Sequence, residues 1–317
     1  MKLIHSGLTD LYRRPQAILA QGILWLILVF SHAGNAAQQS GDFFYEVTGS
    51  DITITTYWGR GGRVAIPGTL DGMAVTSIAS WAFFAPYGLT NLILPSSVTS
   101  IGDRAFFCPA LTQITVDVLN PQYSDREGVL FNKEQSILIQ YPAARVGNNY
   151  DIPSSVTSIG YAAFCTCTRL TSITLPNGIT EIGDYAFARC AELTSVYFAG
   201  DTPTNVGASP FESVDKAIVY YLPGALGWDS TFGGRPTALW QPRELTGDVS
   251  FGVRTNQFGF NITWASGRDV VVEACADLSS PVWSPVSTNN LASGESFYFS
   301  DPQWTNYPAR FYRLRSQ

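Results

Sequence analysis

Four stretches of the chain carry the same alternation of apolar and polar positions. They are IPGTLDGMAVTSIASWAFFAPYGLTNLIL from Ile66, LPSSVTSIGDRAFFCPALTQITV from Leu94, IPSSVTSIGYAAFCTCTRLTSITL from Ile152 and LPNGITEIGDYAFARCAELTSVYF from Leu175. Each closes on an L-x-x-L-x-L run, such as Leu170-x-x-Ile173-x-Leu175 or Leu193-x-x-Val196-x-Phe198, whose last positions alternate at the period of two that a half-buried strand requires. Ala-Phe pairs recur at one phase (Ala82-Phe83, Ala105-Phe106, Ala163-Phe164, Ala186-Phe187): alanine allows close approach, and phenylalanine fills the space between turns. Pro67, Pro95, Pro153 and Pro176 stand just after a strand, where a missing N–H is tolerated. No one copy could bury its apolar face alone, so the pattern predicts a solenoid whose core is made by stacking.

The segments around the repeat depart from it in three ways. Residues 43–65 alternate like a hairpin and predict an N-terminal cap. Residues 117–151 form an insert with two strands, Gly128–Phe131 and Ser136–Ile139, about the turn Asn132–Gln135. Residues 199–240 keep one strand, Ala217–Leu222, before Gly, Pro and Trp take over as a terminal cap. Gln241–Val249 has the composition of a linker. Beyond it, from about residue 249 to 317, alternation at Phe258–Trp264 and the runs Val270–Val272, Phe297–Phe299 and Phe311–Leu314 predict a small β-sandwich. The fold class is therefore mainly β, a leucine-rich-repeat solenoid followed by a small sandwich.

The first 37 residues have a different composition. Lys2, Arg13 and Arg14 precede the apolar run Ala17–Phe30, and small residues follow at Ala33–Ala37. These are the parts of a secretory signal peptide, cleaved near Ala36 or Ala37, and the run is short of the roughly 20 residues of a membrane span. No later stretch approaches a span, so the mature chain is expected to be soluble and secreted or displayed on the cell surface. The leader holds both histidines, His5 and His32.

Composition removes several function classes. Charged residues are 14% of the chain and the net charge is −6, which leaves no electrostatic footprint for nucleic acid. Without histidine, the mature chain builds neither a Ser-His-Asp nor a Cys-His arrangement. The five cysteines (Cys108, Cys165, Cys167, Cys190, Cys275) include three at one repeat phase, Cys108, Cys167 and Cys190. A redox pair or metal cluster there would need a C-x-x-C spacing or a histidine. The expected role is a column of small buried residues, with a disulfide between neighbouring turns geometrically conceivable. Catalytic, cofactor and metal sites are all expected to be none. The tryptophans, Trp58, Trp81, Trp228, Trp240, Trp264, Trp283 and Trp304, are expected to pack in the core or caps rather than to form a sugar platform.

The recurring V-T-x-I-G-x-x-A-F-x-x-C-x-x-L-T-x-I resembles the BspA-like leucine-rich repeats of secreted and surface bacterial proteins, over residues 43–240. That resemblance implies a β-rich solenoid and a role in adhesion or protein binding, and brings no catalytic residues. The partner is expected to be a protein or a surface glycan; the alternative reading is a glycan-binding protein or a carboxylate-dependent hydrolase. On the strands, the third and fifth positions point outward. They place Asn91, Gln113, Ser172 and Ser195 in one column, and Ile93, Thr115, Thr174 and Tyr197 in the next, interrupted by the insert. Of these, Asn91, Gln113, Thr115, Ser172, Thr174, Ser195 and Tyr197 are the expected partner-binding residues.

Overall fold

In the computed structural model, each repeat lays down two short strands, and successive repeats pair in parallel. The L-x-x-L-x-L runs give one face. Gly62–Ala65, Leu89–Leu94 and Gln113–Val116 form a first parallel stretch. Asn149–Asp151, Ser172–Leu175, Ser195–Phe198, Ile218–Tyr221 and Arg235–Leu239 form a second. The V-T-S-I runs give the opposite face, with Met73–Ile78 and Ser100–Ile101 before the insert, and Ser158–Ile159, Glu181–Ile182 and Asn205–Val206 after it. The structure describes residues 37–84, 88–247, 249–254, 256–263, 269–290 and 296–316. The targeting segment lies outside them except for Ala37, as does Trp264.

Between the faces runs a ladder of rings, one per turn. Tyr57, Phe83 and Phe106 follow one another at 5.2 and 5.6 Å between ring centres. Past the insert Tyr141, Phe164, Phe187 and Phe211 continue at 5.0, 5.2 and 5.2 Å. Each such contact is worth about 0.5–1.5 kcal/mol beyond the area it buries. Backbone bonds repeat in step: Phe83 N–H donates to Ala105 O (2.8 Å), and Phe164 N–H to Ala186 O (2.7 Å). The next link, Phe187 N–H to Pro210 O at 2.9 Å, shows that Ser209-Pro210-Phe211 is a further repeat with proline in the alanine position.

The cysteine column packs as its phase predicts. Cys108 Sγ donates to Phe83 O (3.1 Å) and Cys190 Sγ to Phe164 O (3.0 Å), so each thiol caps a carbonyl of the ring-bearing residue one turn earlier. Cys167 is buried against Tyr141 O at 3.9 Å. Burial pushes the Cys108 thiol up to about 12 and raises that of Cys167 as well. All five cysteines are free thiols.

The insert is a wedge. Its strand Val129–Asn132 pairs antiparallel with Tyr123–Arg126, a strand the sequence reading did not include, and with Ile137–Gln140. Val129, Leu130 and Phe131 are all fully buried. Alternation splits them: Leu130 enters the core of the first stretch, while Val129 and Phe131 enter the core of the second. Ile114 N–H donates to Gly128 O (2.9 Å) and Val116 N–H to Asp125 Oδ1 (2.7 Å), so the insert takes the place of a strand beside Gln113–Val116.

The tail holds two antiparallel sheets. One contains Arg243–Leu245, Gly252–Arg254, Gln257–Thr263 and Ser296–Asp301, the other Asp269–Cys275, Ser284–Asn290 and Phe311–Ser316. Part of the expected linker, Arg243–Leu245, is thus a strand. Phe260, Ile262 and Phe299 from the first sheet meet Val270 and Val272 from the second in one apolar cluster. A carboxylate staples their ends: Asp301 accepts from Tyr312 Oη (2.9 Å) and Gln303 N–H (2.8 Å), with Arg310 Nε 2.6 Å away. The same cluster takes in Leu222 and Trp240 of the last repeats, and Tyr197 and Tyr220 pack against it. Residues 39–317 accordingly form one compact unit.

Candidate functional site

The turn before each Ala-Phe pair decides what the edge of the solenoid displays. The residue just ahead of the alanine (Trp81, Arg104, Ala162, Tyr185, Ser209) has φ of +64°, +53°, +52°, +57° and +48°. A left-handed non-glycine residue costs about 1–2 kcal/mol, so the stacking of the turns must impose it. Close stacking also explains the Gly of the I-G step: a Cβ on Gly102 would lie 2.4 Å from Ser80 N, and one on Gly183 2.8 Å from Gly160 C. With the turn held this way, the side chain before the alanine and the one after the phenylalanine face outward.

In the first copies those outward positions are large. Trp81 is 40% exposed and Phe84 60%, a level unusual for residues of this size. Trp81 touches Phe84 at 5.5 Å and Phe107 at 5.4 Å, and Phe84 stacks on Phe107 at 5.6 Å and 10°. Across the insert, Tyr161 and Tyr185 meet edge to face at 6.1 Å. Arg104 joins the two groups. Its Cζ lies 5.0 Å from the Trp81 ring centre, 4.9 Å from that of Tyr161 and 5.2 Å from that of Tyr185. The insert's own turn is abbreviated, with Gln140 directly before Tyr141, so the Arg104 side chain spans from the turn before it to the turn after. Its Nε is buried, with no hydrogen-bond partner among the described residues. Below, Cys165 and Ala188 hold the positions that Phe84 and Phe107 hold earlier, and with Ala162 make an apolar floor under Phe107, Tyr161 and Tyr185. Burial raises the Tyr161 phenol pKa, against the opposing pull of Arg104, so that phenol stays neutral near pH 7.

The strand columns lie as the alternation places them. Asn91 sits opposite Gln113 and Ile93 opposite Thr115; Ser172 sits opposite Ser195 and Thr174 opposite Tyr197. They do not make one free surface. Gln113 Nε2 donates to Thr115 Oγ1 (3.2 Å), and Gly128 of the insert lies against the Gln113 side chain. Tyr197 departs most from its expected role. Its ring is stacked on Tyr220 at 5.0 Å and tilted against Trp240 at 4.8 Å, beside the apolar cluster of the tail. Tyr197 is half-buried there, with part of its ring packed against the chain's own tail. Ser172, Ser195 and Thr174 stay half-buried, with Asn149 and Asp151 exposed beside them.

A model of the BspA type leucine-rich repeat region matches residues 69–133 and 147–226 in six copies, leaving only residues 134–146 of the insert between them. The repeats are BspA-type leucine-rich repeats. Among solved structures, the chain is similar to a leucine-rich repeat protein from Eubacterium ventriosum (18% identity, 60% of this chain and 72% of that one, TM-score 0.43). It is also similar to the pneumococcal vaccine antigen PcpA (15%, 59% and 82%, TM-score 0.40) and to a Treponema pallidum leucine-rich repeat protein given as T. pallidum TpLRR (26%, 58% and 86%, TM-score 0.35). No curated protein matches the sequence. The BspA-type motif fixes the alanine, phenylalanine and cysteine of each turn, whereas Trp81, Phe84, Arg104, Phe107, Tyr161 and Tyr185 stand at its unspecified positions. The repeat motif therefore does not set the residues of the ledge. The expectation that Trp81 packs in the core or a cap is corrected by its exposure.

Proposed function

We propose that the protein is an exported, non-catalytic binding protein that uses its repeat scaffold to hold a protein partner at the cell surface. The observation that carries this reading is the exposed ring cluster about Arg104. Aromatic residues and arginine dominate the energetic centres of protein interfaces, because they bury large area with few torsions to freeze. Here they stand on left-handed turns locked by stacking, so little ordering cost attends binding. The reading of export rests on the basic, apolar and small-residue order of residues 1–37. It is supported by a similar structure from Faecalibacterium prausnitzii that is described as a leucine rich cell surface protein. Among the described residues no helix is long and apolar enough to cross a membrane.

Two sets of charge substitutions test the assignment of the surface. Trp81→Asp and Phe84→Glu should abolish retention of the partner on native cell surfaces, with the chain still folding cooperatively and melting only a few degrees lower. Ser172→Asp and Thr174→Asp should leave it intact. The opposite result returns the binding role to the strand columns. Loss of binding to a glycan array, rather than to protein, on Trp81→Asp would make the ligand a sugar.

A further inference from the structure

The N-terminal cap covers only one side of the first turn. Phe43–Thr48 pairs antiparallel with Asp51–Tyr57, and Gln38–Ser40 pairs beyond it at the edge of that sheet. Among the described residues, the other strand of the same turn, Gly62–Ala65, pairs with Leu89–Leu94 alone. Gly62 N–H donates to Gly88 O (2.8 Å) and Ile66 N–H to Ile93 O (2.9 Å), so the even-numbered residues face that neighbour. Alternate residues of a strand direct their backbone groups to opposite sides. Arg63 and Ala65 therefore turn N–H and C=O to the open side.

That side is an open cleft of about 480 Å³, lined by Asp42, Phe43, Tyr57, Arg60, Arg63 and Ala65 among others. Arg60 and Arg63 are both exposed, and neither forms a hydrogen bond or ion pair with the described residues. Two cations face one carboxylate, on a chain whose net charge is −6. A single charged residue suffices to blunt a short edge against self-pairing. A second arginine beside a cleft wide enough for a strand does more, because it selects the charge of whatever pairs there.

We infer that this edge takes an extended peptide bearing carboxylates, added as one more strand of the stack. Its backbone pairs with Arg63 and Ala65, and its alternate acidic side chains meet Arg60 and Arg63. Backbone pairing gives the affinity in this mode, and the side-chain contacts give selection. None of the residues involved belongs to the aromatic ledge.

The test uses the full chain and a labelled short peptide alternating glutamate and valine, followed by fluorescence anisotropy. Saturable binding is expected. It should weaken about tenfold or more when lysine replaces glutamate, when alternate peptide amides are N-methylated, and in Arg60→Glu or Arg63→Glu. Trp81→Asp should bind as wild type does. The Arg63 and Ala65 amides should exchange more slowly with peptide bound. Unchanged melting of the arginine variants secures the comparison, since both side chains are exposed and unpaired. Absence of saturable binding, or binding indifferent to N-methylation or to the arginine substitutions, overturns the inference.

Discussion

Replacing Trp240 by alanine should loosen the tail from the solenoid and destabilise both. Trp240 is 4% exposed, its ring 4.8 Å from that of Tyr197, within the cluster that includes Leu222, Phe260, Ile262 and Phe299. Truncating a buried tryptophan costs about 3–5 kcal/mol, from lost transfer energy and the cavity left behind. For a cooperative unit of this size, each kcal/mol lowers the melting temperature by about 2–3 °C, so a fall of roughly 6–15 °C is expected in calorimetry. Tyr197→Ala combined with Trp240→Ala in a double-mutant cycle should show a coupling of about 1 kcal/mol, the value of a ring contact beyond its area. A melting temperature within 2 °C of wild type for Trp240→Ala would refute the reasoning, because it would mean that tail and solenoid do not share a core. One consequence concerns deletions. Removing residues 249–317 uncovers Leu222, Tyr197, Tyr220 and Trp240 together, so loss of binding in that truncation does not identify the tail as the part that binds.

Native protein should leave Cys108, Cys167 and Cys190 unmodified by iodoacetamide at pH 8, and denaturant should expose all three; burial holds the first two thiols protonated far above that pH. Gly183→Ala should destabilise by about 1–3 kcal/mol in urea unfolding, since the added Cβ meets backbone at 2.8 Å. Phe84→Asp should destabilise by about 1–2 kcal/mol in the same assay, the loss of its ring contacts with Trp81 and Phe107. Glu273 accepts from Arg313 Nε (2.7 Å) and Arg315 Nε (3.2 Å), and these partners hold its pKa below the ordinary glutamate range. A depressed carboxylate stabilises the fold above its unfolded pKa, so this contribution is present at neutral pH and lost as the pH falls through the lowered value; Glu273→Gln should flatten the acid limb of a stability–pH curve.

The recurrence of one pattern made the solenoid legible before any coordinates. Leu, Phe, Ala and Cys at fixed phase are core positions, and core positions are where a period shows. The fifth turn was hidden because Pro210 replaces the alanine, although the left-handed Ser209 and the bond from Phe187 N–H to Pro210 O preserve its geometry. The tail strands Gly252–Arg254 and Ser284–Asn290 were missed for another reason. They carry exposed Val253, Arg254 and Val286 among Ser, Asn and Gly, with no alternation to read. The ledge was missed because the residues on either side of Ala-Phe are outside the motif, so nothing periodic marks them. A signal was present in W-A-F-F and R-A-F-F, where large side chains flank a pair whose turn must project them. Tyr197, half-buried on the pleat, makes a contact the repeat pattern does not show. Its position on the pleat was read correctly, but the segment that packs against it lies some forty residues later and is not a repeat.

Site-specific photocrosslinking tests the central claim most directly. A benzophenone amino acid placed at Phe84, at Thr174 and at the exposed Val146 of the insert would be presented to intact cells of the native source, and crosslinked partners resolved by mass. The account predicts one discrete protein adduct from position 84, abolished by Trp81→Asp, with none from 146 and none of that mass from 174. Adducts from position 174 that survive Trp81→Asp, with position 84 silent, would contradict it.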